Sequence, residues 1–203
     1  MPRTAVESID WSQDIAPLLD DHHLVVLSDS ADARAKFALA LRHHLQSQAD
    51  TSVIEIDGTQ AADIPSFCKA LEAQLPAREP SVPQTWWRDV HHVIDLLTRA
   101  PHERRREYLL WKDADAMLEA DVATFGRLVN ALFSSAAERE HVSPKPLVLE
   151  RVIFTGDEKL GAYAEDTKGQ FCRWLEDDNA GAPLWEVASV LERPPVIVYR
   201  IDG

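Results

Sequence analysis

Short apolar runs alternate along this chain with stretches whose apolar residues recur every three or four positions. Leu24-Val25-Val26-Leu27 is the first such run. Its unbroken hydrophobicity predicts a strand buried on both faces, as in a parallel sheet. Residues 52–57, 108–111, 149–154 and 196–200 predict four more strands. Gly58 stops the second, Lys112-Asp113-Ala114-Asp115 the third, and Thr155-Gly156-Asp157 the fourth; Pro194-Pro195 introduces the last. Helical spacing fills the intervals. Phe37, Leu41 and Leu45 form one stripe over residues 33–48, and Phe67, Leu71 and Leu75 another over 64–75. Thr85 caps a helix to about residue 100 with Trp86, Val90, Val93, Ile94 and Leu97 on its apolar face. Residues 121–140 use Phe125, Leu128, Val129 and Leu132.

Residues 1–23 read as an N-terminal arm and a helix capped by Asp10, with Trp11, Ile15, Leu18 and Leu19 at helical spacing. Residues 76–84 hold Pro76, Pro80 and Pro83 and predict an insertion or crossover loop rather than a domain boundary. Ser143-Pro144-Lys145-Pro146 makes a second break. Residues 158–190 read as helical or irregular, anchored by Tyr163, Phe171, Trp174, Leu175 and Trp185. Five strands alternating with helices predict one α/β domain over residues 1–203. Its architecture is three-layer α-β-α, with a mostly parallel five-stranded sheet and right-handed crossovers. A ligand site in such a sheet lies beyond the strand C-termini.

Composition narrows the function. The 203 residues are 45% hydrophobic, which is globular rather than disordered. The formal charge of −13 repels phosphate backbones and argues against direct nucleic-acid binding. The one basic run, Arg104-Arg105-Arg106, is flanked by Glu103 and Glu107 and reads as a solvated approach to a strand. No apolar run approaches the roughly 20 residues that span a bilayer. The N-terminus lacks the apolar core of a signal peptide, so a cytoplasmic protein off the membrane is expected. Cys68 and Cys172 form no Cys-x-x-Cys pair and read as ordinary thiols. The adjacent pairs His22-His23, His43-His44 and His91-His92 do not share a helix face and make poor metal sites. Trp87 points away from the stripe of Trp86 and is a candidate interface residue.

The candidate chemistry sits at the strand ends. Ser28-Asp29-Ser30-Ala31-Asp32-Ala33-Arg34-Ala35 follows the first strand and leads into a helix, the layout of a phosphate-binding loop. With Lys112, Asp113 and Asp115 after the third strand and Thr155 after the fourth, the layout over about residues 20–200 resembles the P-loop ATPase superfamily. The nearest branch is the AAA+ type with its clamp-loader-like proteins. The resemblance implies a Walker A motif of glycine, four residues, then Gly-Lys-Ser/Thr. Here Ser28 and Ala33 stand at the glycine places, Arg34 at the lysine and Ala35 at the magnesium-holding hydroxyl. Ser28 and Ala33 restrict a backbone that must wrap a phosphate, and Ala35 has no hydroxyl for the metal. Asp29 and Asp32 add negative charge where a triphosphate belongs.

In the Walker B frame Lys112 replaces the metal-orienting Asp, and Asp113 the Glu that activates water. Thr155 stands at the place of the residue that senses the terminal phosphate. The family's helical lid, with its arginine, would follow the fifth strand; the sequence stops at Gly203, so both are expected to be absent. Joint loss of these groups implies a degenerate, non-hydrolysing domain without nucleotide or other cofactor, acting as an interaction or scaffold subunit with another protein as partner. A nucleotide-binding protein or weak ATPase completed by a partner subunit is the alternative. A small-molecule enzyme using Asp113 and Asp115 is a third reading. In the expected layout the first and third strands are neighbours. That sets Lys112 beside Asp29 or Asp32 and Arg34 beside Asp113, an ion-pair cluster filling the vacated site.

Overall fold

The computed structural model describes residues 3–75, 90–99, 106–137, 149–166 and 196–202. The five expected strands form as β2 (His23–Leu27), β3 (Thr51–Asp57), β4 (Arg106–Lys112), β5 (Arg151–Gly156) and β6 (Val196–Asp202). A sixth, β1 (Thr4–Ala5), pairs with Ile201 and Asp202 at one edge. Two residues are too few to show a period of two, so nothing in the apolar pattern marks them. The sheet order is β1-β6-β2-β5-β4-β3, and the recorded pairings are parallel.

Two further expectations are corrected. The fourth strand runs two residues later than the apolar run, because Thr155 and Gly156 pair with Val26 and Leu27. The first and third strands are not neighbours: β5 lies between β2 and β4 and pairs with both.

The helices are α1 (Ala16–Asp21), α2 (Ala31–Ser47), α3 (Ile64–Glu72), α4 (Val90–Arg99), α5 (Asp115–Ala120), α6 (Val122–Ala137) and α7 (Glu158–Asp166). Several of the starts follow from side-chain caps. The Asp10 carboxylate accepts from the Ser12 N–H at 3.1 Å, opening a wide turn that leads into α1. Asp63 and Ser66 make a reciprocal capping box on α3. The Asp121 carboxylate accepts from the Ala123 and Thr124 N–H groups and starts α6.

Strand alternation divides the core into two. Leu24, Val26, Leu110 and Ile153 face α1 and α2, where Ile15, Leu19, Phe37, Leu41 and Leu45 cover them. Val25, Leu27, Ile54, Ile56, Leu109, Trp111, Val152 and Phe154 face the other way, under Phe67, Leu71, Val93, Met117, Phe125, Leu128 and Leu160. Each large side chain so buried contributes roughly 1.5–3 kcal/mol. β2, β4 and β5 are therefore apolar on both faces, which is why their runs look continuous in sequence, whereas β3 alternates, with Glu55 and Asp57 on its second face.

Cys68 is buried in the second of these cores. His43 and Arg106 are exposed. His23 is buried in β2, where its Nδ1 accepts from the Val152 N–H at 3.0 Å and its ring stacks on Phe133. No helix among the described residues is long and apolar enough to cross a membrane. The proline-rich residues 76–84, Thr85, Trp86, Trp87, Arg104, Arg105, Ser143-Pro144-Lys145-Pro146, Phe171, Cys172, Trp174, Leu175 and Trp185 lie outside the described residues.

Candidate functional site

The connection after β2 leaves over the face of α2 and reaches β3 at the sheet edge. That after β5 leaves with α7 on the opposite face. Such divergence makes the C-terminal ends of β2 and β5 a topological switch point, the crevice position at which open α/β sheets place their ligands. Ser28, Arg34, Asp113, Asp115 and Thr155 come together there.

The loop after β2 is only residues 28–30, because α2 begins at Ala31. Five of the eight positions laid on the phosphate-loop frame are already helical. Local hydrogen bonds use the amides that such a loop would offer an anion. The Ser28 N–H donates to the Gly156 carbonyl at 3.1 Å, continuing the β2–β5 ladder. The Ser30 N–H donates to Ser28 Oγ, and the Ala33 N–H to Ser30 Oγ, both at 3.2 Å. The Arg34 N–H donates to the Ser30 carbonyl at 3.1 Å. Ser30 is thus an N-cap, and Ala33, at a glycine place, is fully buried. Ala35 is exposed on α2.

Arg34 spans the crevice. Its Nε donates to Asp113 Oδ1 at 2.7 Å and its Nη1 to the Ser28 carbonyl at 2.6 Å. Asp113 sits in the left-handed region at φ 46°. Its N–H donates to Thr155 Oγ1 at 3.1 Å, and the Ala114 N–H donates to the Thr155 carbonyl at 2.9 Å. Thr155 is buried and fastens the turn after β4 to β5.

The expected partners of Lys112, Asp29 and Asp32 are corrected. On β4 the alternation sends Lys112 to the α2 side, where its Nζ lies 3.4 Å from Glu55 Oε2. Arg42 Nη1 holds the other oxygen of Glu55 at 3.1 Å. Asp29 pairs with Arg3 at 3.5 Å and Asp32 with Lys36 at 2.8 Å. Their side chains are 65% and 73% exposed, so neither carboxylate enters the crevice. Arg34 does meet Asp113. Trp87 lies outside the described residues.

The acidic groups of the crevice are Asp113, Asp115 and Asp157. Asp115 opens α5, and its Oδ1 is buried with no hydrogen-bond partner among the described residues. Burial holds its carboxyl above the ordinary carboxylate range; the charges of Asp157 and Asp113 push the same way, and Arg34 opposes them. A carboxyl whose pKa is raised by folding lowers stability once ionised. Stability is therefore fullest below the unfolded pKa and falls as pH rises through the folded one. Asp115→Asn is expected to raise the urea midpoint at pH 7. The gain should vanish below about pH 4, where both forms are neutral. A lower midpoint for the variant at pH 7 would contradict this.

Sequence reading missed Glu55, Gly58 and Asp157. The signal was present for Gly58 and Asp157, which directly follow strand C-termini; Glu55 lies inside a strand and gives none.

No protein-family model matches this chain, and no curated protein matches it in sequence. Among solved structures it is similar to the crystal structure of Cdc6p from Pyrobaculum aerophilum, at TM-score 0.49 and 12% identity over 92% of this chain and 42% of that one. It is also similar to the Aeropyrum pernix ORC2 protein, solved as ADPNP–ADP complexes, at TM-score 0.48 and 10% identity over 89% of this chain and 42% of that one. The chain spans less than half the length of either.

Proposed function

We propose that this chain is a degenerate P-loop-ATPase-like domain of AAA+ type that does not hydrolyse nucleotide and works as a protein-interaction or scaffold subunit. The Arg34 bridge carries the reading. The one cation at the lysine place of the phosphate loop is spent on Asp113 and the Ser28 carbonyl at 2.7 and 2.6 Å. A phosphate entering the crevice must displace that arginine and then faces Asp113, Asp115 and Asp157. Neither a hydroxyl at position 35 nor a carboxylate at position 112 is there to hold magnesium. With no anion or metal to bind, what remains for the domain to offer is its surface.

The test is thermal melting with and without millimolar Mg-ATP, Mg-ADP and Mg-GTP. A ligand at about 100 times its dissociation constant adds about 2.7 kcal/mol. The expected result is an unchanged Tm with all three. Arg34→Met separates the arginine from the acids. It strands Asp113, whose side chain is 34% exposed against 13% for Arg34, and should cost about 1–2 kcal/mol, between a surface pair and a buried one. It should also leave Tm insensitive to nucleotide. A clear nucleotide shift in the unaltered protein overturns the reading in favour of a nucleotide-binding subunit.

A further inference from the structure

We infer that Gln74 acts as a side-chain substitute for a seventh strand, closing the β3 edge of the sheet against pairing with a second copy of this chain. Among the described residues β3 is the last strand of the sheet on that side. In a parallel strand the peptide groups of alternate residues point to opposite neighbours. Ser52, Ile54 and Ile56 turn theirs to β4, and Gly58, next in that series, donates its N–H to the Lys112 carbonyl. Val53, Glu55 and Asp57 turn theirs outward. An outward row of this kind is a template for another strand unless something blunts it.

Two local devices occupy the row. At its C-terminal end the Asp57 carbonyl accepts from the Gln60 and Ala61 N–H groups at 3.1 and 3.0 Å. At its centre the carboxamide of Gln74 takes both valences of one residue. The Glu55 N–H donates to Gln74 Oε1 at 2.8 Å, and Gln74 Nε2 donates to the Glu55 carbonyl. The same Nε2 also donates to the Ala70 carbonyl at 3.2 Å, which ties the amide back to α3. The chain delivers the side chain to this place through the turn after α3, where the Gln74 N–H donates to the Leu71 carbonyl at 3.1 Å.

The chemistry suits an amide. Only a group that donates and accepts at once satisfies both halves of an outward residue; a carboxylate lacks the donor and an ammonium the acceptor. The Glu55 charge is not free to do this work. An acidic side chain on an edge ordinarily repels a like strand, but both oxygens of Glu55 are engaged, by Arg42 at 3.1 Å and Lys112 at 3.4 Å. With that carboxylate paired, the Gln74 amide is the group that blocks the hydrogen-bonding row at this residue. This inference does not rest on the reading of the crevice.

The experiment uses the full chain with Gln74→Ala and Gln74→Glu. Gln74 is exposed and lies beyond the last turn of α3, so both variants are expected to fold. Amide hydrogen exchange reads Glu55, and sedimentation velocity over a concentration series reads association. A second series at about 1 M salt, where the Debye length is about 3 Å, removes residual repulsion. The expected result is that exchange at Glu55 speeds up by about tenfold in Gln74→Ala, the size of one lost hydrogen bond, and by less in Gln74→Glu, whose carboxylate still accepts from the Glu55 N–H and loses only the donor to the Glu55 carbonyl. Both variants should also self-associate with rising concentration where the unaltered chain does not. Unchanged exchange at Glu55 in Gln74→Ala, or variants that keep the association state of the unaltered chain at every concentration and salt, would overturn the inference.

Discussion

Replacing Trp111 with alanine is expected to lower the free energy of unfolding by about 4 kcal/mol, within the range found for buried aromatic-to-alanine changes. Trp111 is fully buried, and it heads the largest such side chains among the described residues. Its ring lies 4.8 Å from Phe67 on α3, 5.3 Å from Phe125 on α6 and 5.7 Å from Phe154 on β5. One indole therefore joins two helices to two strands of the sheet, and no neighbour can slide into its place without breaking another contact. For a domain whose total stability is typically 5–15 kcal/mol, that is a large share. Trp111→Phe separates volume from polarity. The indole N–H has no hydrogen-bond partner among the described residues, so phenylalanine loses ring volume but also removes a desolvated donor. It should cost about 1–2 kcal/mol, much less than alanine. Urea denaturation reads both, with an unchanged slope marking a change in stability alone. An alanine variant within about 1 kcal/mol of the parent would mean that the cluster collapses around the gap.

That residue also shows what the sequence made legible. Tyr108-Leu109-Leu110-Trp111 is unbroken in its hydrophobicity because both faces of β4 are covered, Leu110 under α2 and Trp111 under α3 and α6. The same logic found β2, β5 and β6, the alternation in residues 52–57 stopped by Gly58 found β3, and helical stripes such as Phe37-Leu41-Leu45 found the layers above them. Where physics acts through partners distant in sequence, the reading failed. Thr4–Ala5 is a strand only because Ile201 and Asp202 lie beside it. Residues 115–120 are too short for a stripe, so α5 passed unseen. Thr155 and Gly156 look like turn residues, yet Val26 and Leu27 draw them into the ladder.

The site divides the same way. The place of the crevice was legible, because strand ends and the absence of phosphate-loop glycines are local facts. The Arg34–Asp113 contact forms as expected although its premise, β2 and β4 as neighbours, fails: the Arg34 side chain reaches Asp113 past the end of β5. The partners of Lys112 did not, since they depend on strand order. With β5 lying between β2 and β4, the parity of β4 turns Lys112 towards Glu55 on the neighbouring β3. The sequence places Asp29 and Asp32 in the vacated phosphate site, with Lys112 beside one of them. The short loop and early helix instead rotate them outward to Arg3 and Lys36.

The crevice rests on a close approach that only glycine permits, and Gly58→Ala is expected to cost about 3 kcal/mol, at the upper end for overpacking. Gly58 ends β3, and its N–H donates to the Lys112 carbonyl at 2.7 Å. A Cβ at this position would lie 2.1 Å from the Asp113 carbonyl oxygen and 2.8 Å from that of Lys112. Both obstacles are backbone atoms, so no side-chain rotation relieves the clash. Either β3 withdraws and gives up the Lys112 hydrogen bond, or the turn at Asp113 moves. That turn has little room, because Asp113 is already left-handed at φ 46° and its N–H is held by Thr155 Oγ1 at 3.1 Å. Displacing it also carries the Asp113 carboxylate away from Arg34. The variant should therefore lose stability and the Arg34 contact together. Arg34→Met, already lacking that contact, should then lose less on addition of Gly58→Ala than the parent does. Chemical denaturation of the two single variants and the double variant measures this. Strict additivity would mean that the strand, and not the turn, gives way; a Gly58→Ala protein as stable as the parent would show that β3 does not press on the turn at all.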